Sequence, residues 1–466
     1  MRLPWQLSRY MVCAICLSLQ SAPVVRSRDL HAGPVRLRFE AGELRYLMVG
    51  EKEIVRRVYF SLRDPVWDTV PSVFKNVKIN STADSFQITF DATMRKEAVD
   101  FQWNAKITGT PQGRITYEVH ATSNTDFKFN RFGLCVLFGS PSLEGQSYQM
   151  IDKEGQAHDG AFPEMIWPGS WPQKFQTLRY ITAGGMEVRT TLSPVGFQME
   201  DQRNWADSSY KAYSAMSYPY PNISRGLQGE ETLSIEVAHA NRNKPPTGIP
   251  EISVGDAMAG SRMPKISTLA RPGPKGFFLQ VNKSRVIPKN GVLEWGYSPA
   301  VNLFDDDTYM ENLSSIESQV KTARTFAPAA KLRMLPVTLE PPYERTERDS
   351  REGSKFAEAW AAAAVKHMAV SALDEAAFDV GPGPVTELLR ELNEFAGLAV
   401  LDVRGVAKTR PAVEVLAVSK DGAIHLWVIN MTANKQQRVS LRIPAVRKSP
   451  PVTLDAYQVR RIKLQP

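Results

Sequence analysis

The chain has 466 residues and a formal charge of +8, with 43% hydrophobic and 23% charged residues, a globular balance that excludes bulk disorder. Its length suits two or three domains. Lys and Arg are scattered, the densest patch being Arg460-Arg-Ile-Lys463, and no zinc-finger spacing, helix-turn-helix or aromatic-basic RNA signature accompanies them. Nucleic acid is therefore not the expected partner; a small anionic substrate or an envelope polymer suits the charge better.

Residues 1–22 read as a secretory signal. Arg2 and Arg9 form a basic start, Tyr10 to Leu19 an apolar run, and Ser21 and Ala22 offer small residues for cleavage, although Gln20 fits the cleavage pattern poorly. The expectation is export, periplasmic or extracellular, with an N-terminal extension on a cytoplasmic protein as the alternative. No other segment approaches the ~20 apolar residues a membrane helix needs, so no integral membrane segment is expected. Removing the signal takes Cys13 and Cys16 with it. Cys135, in the apolar run Gly133-Leu-Cys-Val-Leu137, is then a small buried hydrophobe.

From 32 to 245 strand follows strand. Val35–Phe39, Leu44–Val49, Val55–Leu62, Phe74–Asn80, Phe86–Phe90, Phe101–Thr108 and Arg114–Ala121 alternate or run apolar, with breaks at Gly, Pro, Asp and Asn. No amphipathic helix interrupts them, which predicts a large antiparallel β-sandwich.

The densest chemistry lies in Phe197-Gln-Met-Glu-Asp-Gln-Arg-Asn-Trp-Ala-Asp-Ser-Ser-Tyr-Lys-Ala-Tyr213. It follows a short strand in which Val195, Phe197 and Met199 alternate with Gly196, Gln198 and Glu200. Carboxylates and Asn orient hydroxyls, Arg grips a carboxylate, and Trp or Tyr covers the apolar face of a sugar. A solvated loop whose charges pair among themselves is the competing reading. The run resembles the Glu-Asp-Gln-Arg-Asn-Trp-(Thr/Ser)-Asp-Ala-Ser-Phe-Lys-Thr-Tyr signature of the D-apionate lactonase family. Gly42-Glu-Leu-Arg-Tyr46, Arg56-Arg-Val-Tyr-Phe60, Trp67-Asp-Thr-Val-Pro71, Phe101-Gln-Trp103, Asn130-Arg-Phe-Gly-Leu-Cys135, Ser298-Pro-Ala-Val-Asn-Leu-Phe-Asp305 and Pro336-Val-Thr-Leu339 resemble the same family. In the Ser298–Asp305 segment the family carries His where this chain has Asn302. The resemblance implies a sandwich like those of mutarotases, a barrel, and action on a sugar-acid lactone.

Residues 246–290, rich in Pro, Gly, Ser and Met, read as a linker or crossing segment. Strand and helix then alternate over 291–400: strands at Gly291–Tyr297, Lys331–Leu339 and Glu375–Val380, helices at Asp306–Phe326, Ser354–Leu373 and Pro384–Phe395, the last with Pro at its start and Gly397 beyond its end. Three such units predict a parallel, barrel-like arrangement, but only about 155 residues separate Pro246 from Val400 and a full eightfold barrel takes roughly 200–250, so the barrel is partial. Residues 401–466 return to strands, with a hairpin at Lys420-Asp421-Gly422. The fold class is thus multidomain α+β: a large N-terminal antiparallel β-sandwich, a partial (β/α) barrel-like domain and a small C-terminal β-sandwich.

Opening a lactone needs a base for water, donors for the oxyanion and a proton for the ring oxygen. Glu200, Asp201 and Asp207 are the candidate bases. Arg203, Asn204 and Lys211 are candidates for holding the oxyanion or a substrate carboxylate, and Trp205 for stacking on the ring. The same cluster is also read as an interdomain scaffold. Secondary candidates are Glu340 and Asp379, at barrel strand ends. There the family's Tyr-Tyr-Glu becomes Phe378-Asp-Val380, its Asn-Pro-Asn-Ala-Thr becomes Glu340-Pro-Pro-Tyr-Glu344, and an earlier acidic strand is missing. Asp305-Asp-Asp307 reads as a helix cap rather than a metal cluster, and the histidines, His367 among them, lack ligand spacing. Gly381-Pro-Gly383 lacks the Lys-Ser/Thr of a phosphate loop, and no Gly-x-Ser-x-Gly elbow is present. No metal and no tightly bound cofactor is expected; the ligand is a small sugar or sugar acid, and the oligomeric state is open. The alternatives are a non-catalytic exported carbohydrate-binding relative with a degenerate barrel, and a two-carboxylate glycoside hydrolase using Glu340 with Asp379 or Glu200.

Overall fold

The computed structural model describes residues 27–171, 173–182, 185–215, 222–239, 249–269, 276–341, 348–407, 410–434, 436–443 and 451–465. The signal read in 1–22 and the Pro245-Pro246 start of the expected linker lie outside them. Among the described residues no helix is long and apolar enough to cross a membrane.

Four strands of the N-terminal part position the site: β1 (Lys52–Arg63), β2 (Arg131–Gly139), β3 (Phe197–Asp201) and β4 (Ser209–Ser214). They run antiparallel in the spatial order β1-β2-β4-β3, at one end of a seven-stranded sheet that faces a nine-stranded one. Alternation sorts their side chains. Val58, Phe60 and Leu62 of β1 and Leu134, Val136 and Phe138 of β2 enter the core between the sheets. There Phe60 stacks on Trp103 of the opposite sheet at 4.6 Å. The other face carries Arg57, Tyr59, Ser61 and Arg63 on β1 and Arg131 and Cys135 on β2. This is the expected antiparallel sandwich.

The barrel-like part is a four-stranded parallel sheet of β5 (Lys265–Leu269), β6 (Val292–Tyr297), β7 (Lys331–Val337) and β8 (Glu375–Asp379), in the order β5-β8-β7-β6. Around it lie α1 (Phe278–Ser284), α2 (Asp306–Glu311), α3 (Ser315–Phe326), α4 (Lys355–Val370) and α5 (Pro384–Asn393). The first strand sits beside the last, as where the two ends of an eightfold barrel meet. The single helix expected over 306–326 is two helices joined by a 3-10 turn at Asn312–Ser314. The Asn312 carbonyl there accepts from the hydroxyls of Ser208, Tyr297 and Ser315, which draws it out of the regular ladder.

The segment expected as a linker contains β5, α1 and a long strand, Glu251–Arg262, which pairs parallel with Gln437–Arg442 and antiparallel with Ala399–Arg404. Buried Ile252 and Val254 alternate with half-covered neighbours and anchor it in the C-terminal core, a short signal hidden among Gly, Ser and Met. The C-terminal sheet is completed by Val452–Leu454, β9 (Val413–Lys420), Ala423–Asn430 and Val459–Leu464. Its hairpin turns through Asp421 and Gly422, both at positive φ (53° and 74°), as a primed turn requires.

Candidate active site

Strand parity divides the Phe197–Tyr213 run between two tasks. Glu200 on β3 lies directly opposite Lys211 on β4, Cys135 on β2 lies between Tyr59 and Tyr213, and Arg131 lies opposite Arg63. Much of this outer face floors a cleft of about 730 Å³. Its far wall comes from the barrel side, through Phe277, Leu279 and Lys283 at α1 and Val301 and Asn302 after β6, while Trp67 and Trp205 line it as well.

Glu200 is held by four donors. Its Oε1 accepts from Arg131 Nη2 (2.7 Å), Tyr213 Oη (3.0 Å) and Ser170 Oγ (3.1 Å), and its Oε2 from Gln202 Nε2 (3.2 Å). The Arg131 guanidinium lies 3.4 Å from the Tyr213 ring centre and 5.5 Å from that of Trp67. Lys211 is buried and donates to Asn302 Oδ1 at 3.1 Å. Burial, helped by the Arg63 and Arg131 cations, pushes its ammonium down to about 8. Burial pushes the Cys135 thiol up and keeps the Tyr213 phenol protonated.

Asn302 is the hub of the cleft wall. Its Nδ2 donates to Asp207 Oδ2 (2.7 Å) and Gln202 Oε1 (3.0 Å), and its Oδ1 accepts from both Lys211 and Arg63 (3.2 Å).

Asp201, Arg203, Asn204 and Asp207 are placed in the seam between sandwich and barrel and do not line the cleft. Asp201 and Arg203 are fully buried and joined by two bonds, Nε to Oδ1 at 2.9 Å and Nη2 to Oδ2 at 2.7 Å. Asp201 also accepts from the Trp167 amide, and Arg203 pairs with Glu144 at 2.6 Å. Although burial opposes it, Asp201 holds the Arg203 guanidinium firmly protonated. Across the seam Gln319 donates to the Arg203 carbonyl, Asn282 to Asn204 Oδ1, and the Ser208 amide to Asn312 Oδ1. Asp207 accepts from Ser209 Oγ and from Asn302. Ile166 and Ala206 of the sandwich belong to the core of the half-barrel. Of the proposed site residues, then, Glu200, Trp205 and Lys211 meet in the cleft.

The secondary candidates lie elsewhere. Glu340 and Asp379 both turn to Arg348, at 3.7 and 3.0 Å, with Glu352 at 3.3 Å from the same guanidinium. The cavity beside them measures about 20 Å³, far too small for a sugar ring. Asp305 caps α2, accepting from the Thr308 amide at 3.0 Å, and pairs with Arg45. Among the described residues no group of His, Cys, Asp and Glu is arranged to hold a metal ion.

Arg63, Arg131, Tyr213 and Asn302 were not among the sequence candidates. Parity counted from Lys211 brings in Tyr213, two residues along the same strand; the partners on β1, β2 and the loop after β6 are long-range and have no local signal.

The chain matches "D-apionate lactonase, N-terminal domain" over residues 15–240, "D-apionate lactonase, TIM barrel domain" over 249–421 and "D-apionate lactonase, C-terminal immunoglobulin-like domain" over 410–462. It belongs to the D-apionate lactonase family. Within that family, it is 29% identical over 198 residues to the D-apionate lactonase of Brucella anthropi, a match covering 41% of this chain and 32% of the relative. The chain thus spans about a third of that relative's length. Among solved structures, it is similar to a GalM/aldose epimerase homologue from C. elegans (10% identity, TM-score 0.31, 46% of this chain and 100% of that one). A galactose mutarotase related enzyme from Lactobacillus acidophilus gives 7% identity and a TM-score of 0.32, over 47% and 100% of the two chains. A beta-arabinopyranosidase gives 8% identity and a TM-score of 0.26, over 95% and 99%.

Proposed function

We propose that this chain is a carbohydrate-active hydrolase that opens a sugar-acid lactone in the cleft by carboxylate-assisted attack of water. The observation that carries this reading is the placement of Glu200 opposite Lys211 on the floor of a sugar-sized cleft that Trp67, Trp205 and Phe277 also line. Membership of the D-apionate lactonase family supports the lactone as the bond that breaks. In this scheme Glu200, fixed by Arg131 and Tyr213, takes the proton of the attacking water. The oxyanion forms beside the Lys211 ammonium, and collapse of the tetrahedral intermediate breaks the bond from carbonyl carbon to ring oxygen. Lys211, titrating near 8, is matched to deliver a proton to that departing oxygen. The product is the open hydroxy acid.

A second reading, a non-catalytic sugar-binding relative, is favoured by the strand-end carboxylates Glu340 and Asp379 being tied to Arg348. Acid release from D-apionolactone and a panel of aldonolactones separates the two. Turnover by the full chain, reduced at least ~100-fold by Glu200→Gln, supports the hydrolase. A folded wild-type protein that binds sugars without turnover supports the binding relative.

A further inference from the structure

The cleft holds more positive charge than its own carboxylates answer. Arg63, Arg131, Lys211 and Lys283 face it against Asp68 and Glu200. Glu200 is occupied by Arg131, and Asp68 pairs with Lys96 at 3.0 Å. Among the described residues, Arg63 donates to neutral oxygens, the Trp67 carbonyl at 2.9 Å and Asn302 Oδ1, and Lys211 shares that same Asn302 oxygen. Among the described residues, Arg63, Lys211 and Lys283 have no carboxylate within ion-pair distance.

The donors are also placed together. Arg63 and Arg131 are directly opposite on β1 and β2, an arrangement of like charges that is unfavourable by itself. The next pair along places Ser61 opposite Gly133. Arg131 Nη1 and Ser61 Oγ are both buried without a hydrogen-bond partner. Ser61 and Arg131 both line the cleft, and buried donors without a partner cost stability. A carboxylate suits this group of donors: it accepts up to four hydrogen bonds, takes a guanidinium bidentately and screens the two arginines from each other.

We infer that this end of the cleft is a carboxylate subsite, and that the lactone it opens carries a second, permanent negative charge, as in a monolactone of a sugar dicarboxylic acid. The inference rests on the lactone-opening reading of the same cleft. A neutral aldonolactone gains a carboxylate only when opened, so substrate and product carboxylates are distinguished by comparing lactones before the bond breaks.

The test compares D-glucaro-1,4-lactone with D-glucono-1,4-lactone, using the full chain. The carboxylated lactone is expected to have the higher kcat/KM by about 30-fold, the scale of charge-assisted hydrogen bonds in a desolvated site. That ratio should fall with salt, fall to within a few-fold of one in Arg63→Gln, and recover in part in Arg63→Lys. Lys283→Gln, at the exposed rim, should lower the ratio several-fold and keeps the question open to test if Arg63→Gln does not fold. In parallel, D-glucarate, D-gluconate and D-glucitol are titrated against tryptophan fluorescence, which needs no turnover. Glucarate binding that weakens in Arg63→Gln, with neither lactone opened, would keep the subsite and sink the lactonase. Equal kcat/KM for the two lactones, unmoved by these variants, overturns the subsite, as does glucarate binding no tighter than glucitol. Tight binding of gluconate without any preference between the lactones assigns the charge to the product, and overturns it too.

Discussion

Glu200 and Asp201 are adjacent carboxylates that should respond to substitution in opposite ways, because one step along a strand turns the side chain to the other face. Glu200 faces the cleft; Asp201 is shut in with Arg203. Asp201→Asn breaks a fully buried pair and leaves the Arg203 charge short of a partner, a loss of about 3 kcal/mol. Thermal and chemical unfolding should register that loss, while the folded fraction keeps its kcat. Glu200→Gln should remove turnover and cost less stability, because its pair with Arg131 keeps some exposure to the cleft whereas the Asp201 pair has none; a larger loss of stability in Glu200→Gln than in Asp201→Asn would contradict this division. Lys211 gives a second check at the same scale. With its ammonium lowered to about 8, turnover that depends on that proton declines as pH rises through 8. In Lys211→Arg the group no longer titrates there, so the alkaline limb of kcat should disappear even if the rate is low. A limb that persists near 8 would remove Lys211 from the proton transfer.

At the scale of elements, legibility followed the range of the forces involved. The helices α4 and α5 and strands β6, β7 and β8 came within a few residues of expectation, because Ser354, Pro384 and Gly397 punctuate a regular apolar pattern. The primed turn at Asp421-Gly422 was legible for the same local reason. Strand Glu251–Arg262 was not, since only Ile252 and Val254 mark its buried face and the remainder is small and polar. The site shows the same contrast. Glu200, Trp205 and Lys211 could be read from one run of sequence, whereas Arg63, Arg131 and Asn302 join them only through pairing and packing that the run does not encode. Ile252→Ala tests whether the Glu251–Arg262 strand is structural. It empties a fully enclosed position and should cost about 2–4 kcal/mol of C-terminal stability. Hydrogen exchange should place the loss in Gln437–Arg442 and Ala399–Arg404, its two neighbours; an effect confined to the sandwich would show that the strand belongs elsewhere.

Across the whole molecule the half-barrel holds its place by polar contacts on two sides. One side is the seam built from Arg203, Asn204 and Ser208. The other is a buried ionic cluster in which His367 of α4 meets Glu317 of α3 at 2.6 Å through Nδ1 and Glu414 of β9 at 3.2 Å through Nε2. Lys366 lies 3.5 Å from Glu414 and 3.7 Å from Glu317. Only an imidazolium donates from both nitrogens. Burial alone would lower the His367 pKa, but Glu414 and Glu317 outweigh burial and the repulsion of Lys366, and hold it above its ordinary value. Burial likewise would raise Glu414, yet His367 and Lys366 bring it down to about 2, and Glu317 is lowered for the same reason. The signs fix the window. A raised histidine stabilises fully below its unfolded pKa of ~6.5 and loses that contribution as pH rises through the folded value; lowered glutamates stabilise above ~4.3 and lose it as pH falls toward 2. The cluster therefore holds α3, α4 and β9 together best between about pH 4.5 and 6.5. Lys211 acts in the opposite sense, since burying its ammonium costs stability below 8 and deprotonation relieves it. The difference between wild type and His367→Gln cancels that common contribution. That difference in melting temperature should be largest in the mildly acidic window and shrink as pH rises above 7; a difference independent of pH from 5 to 9 would show that His367 does not hold the half-barrel to the C-terminal sheet as a cation.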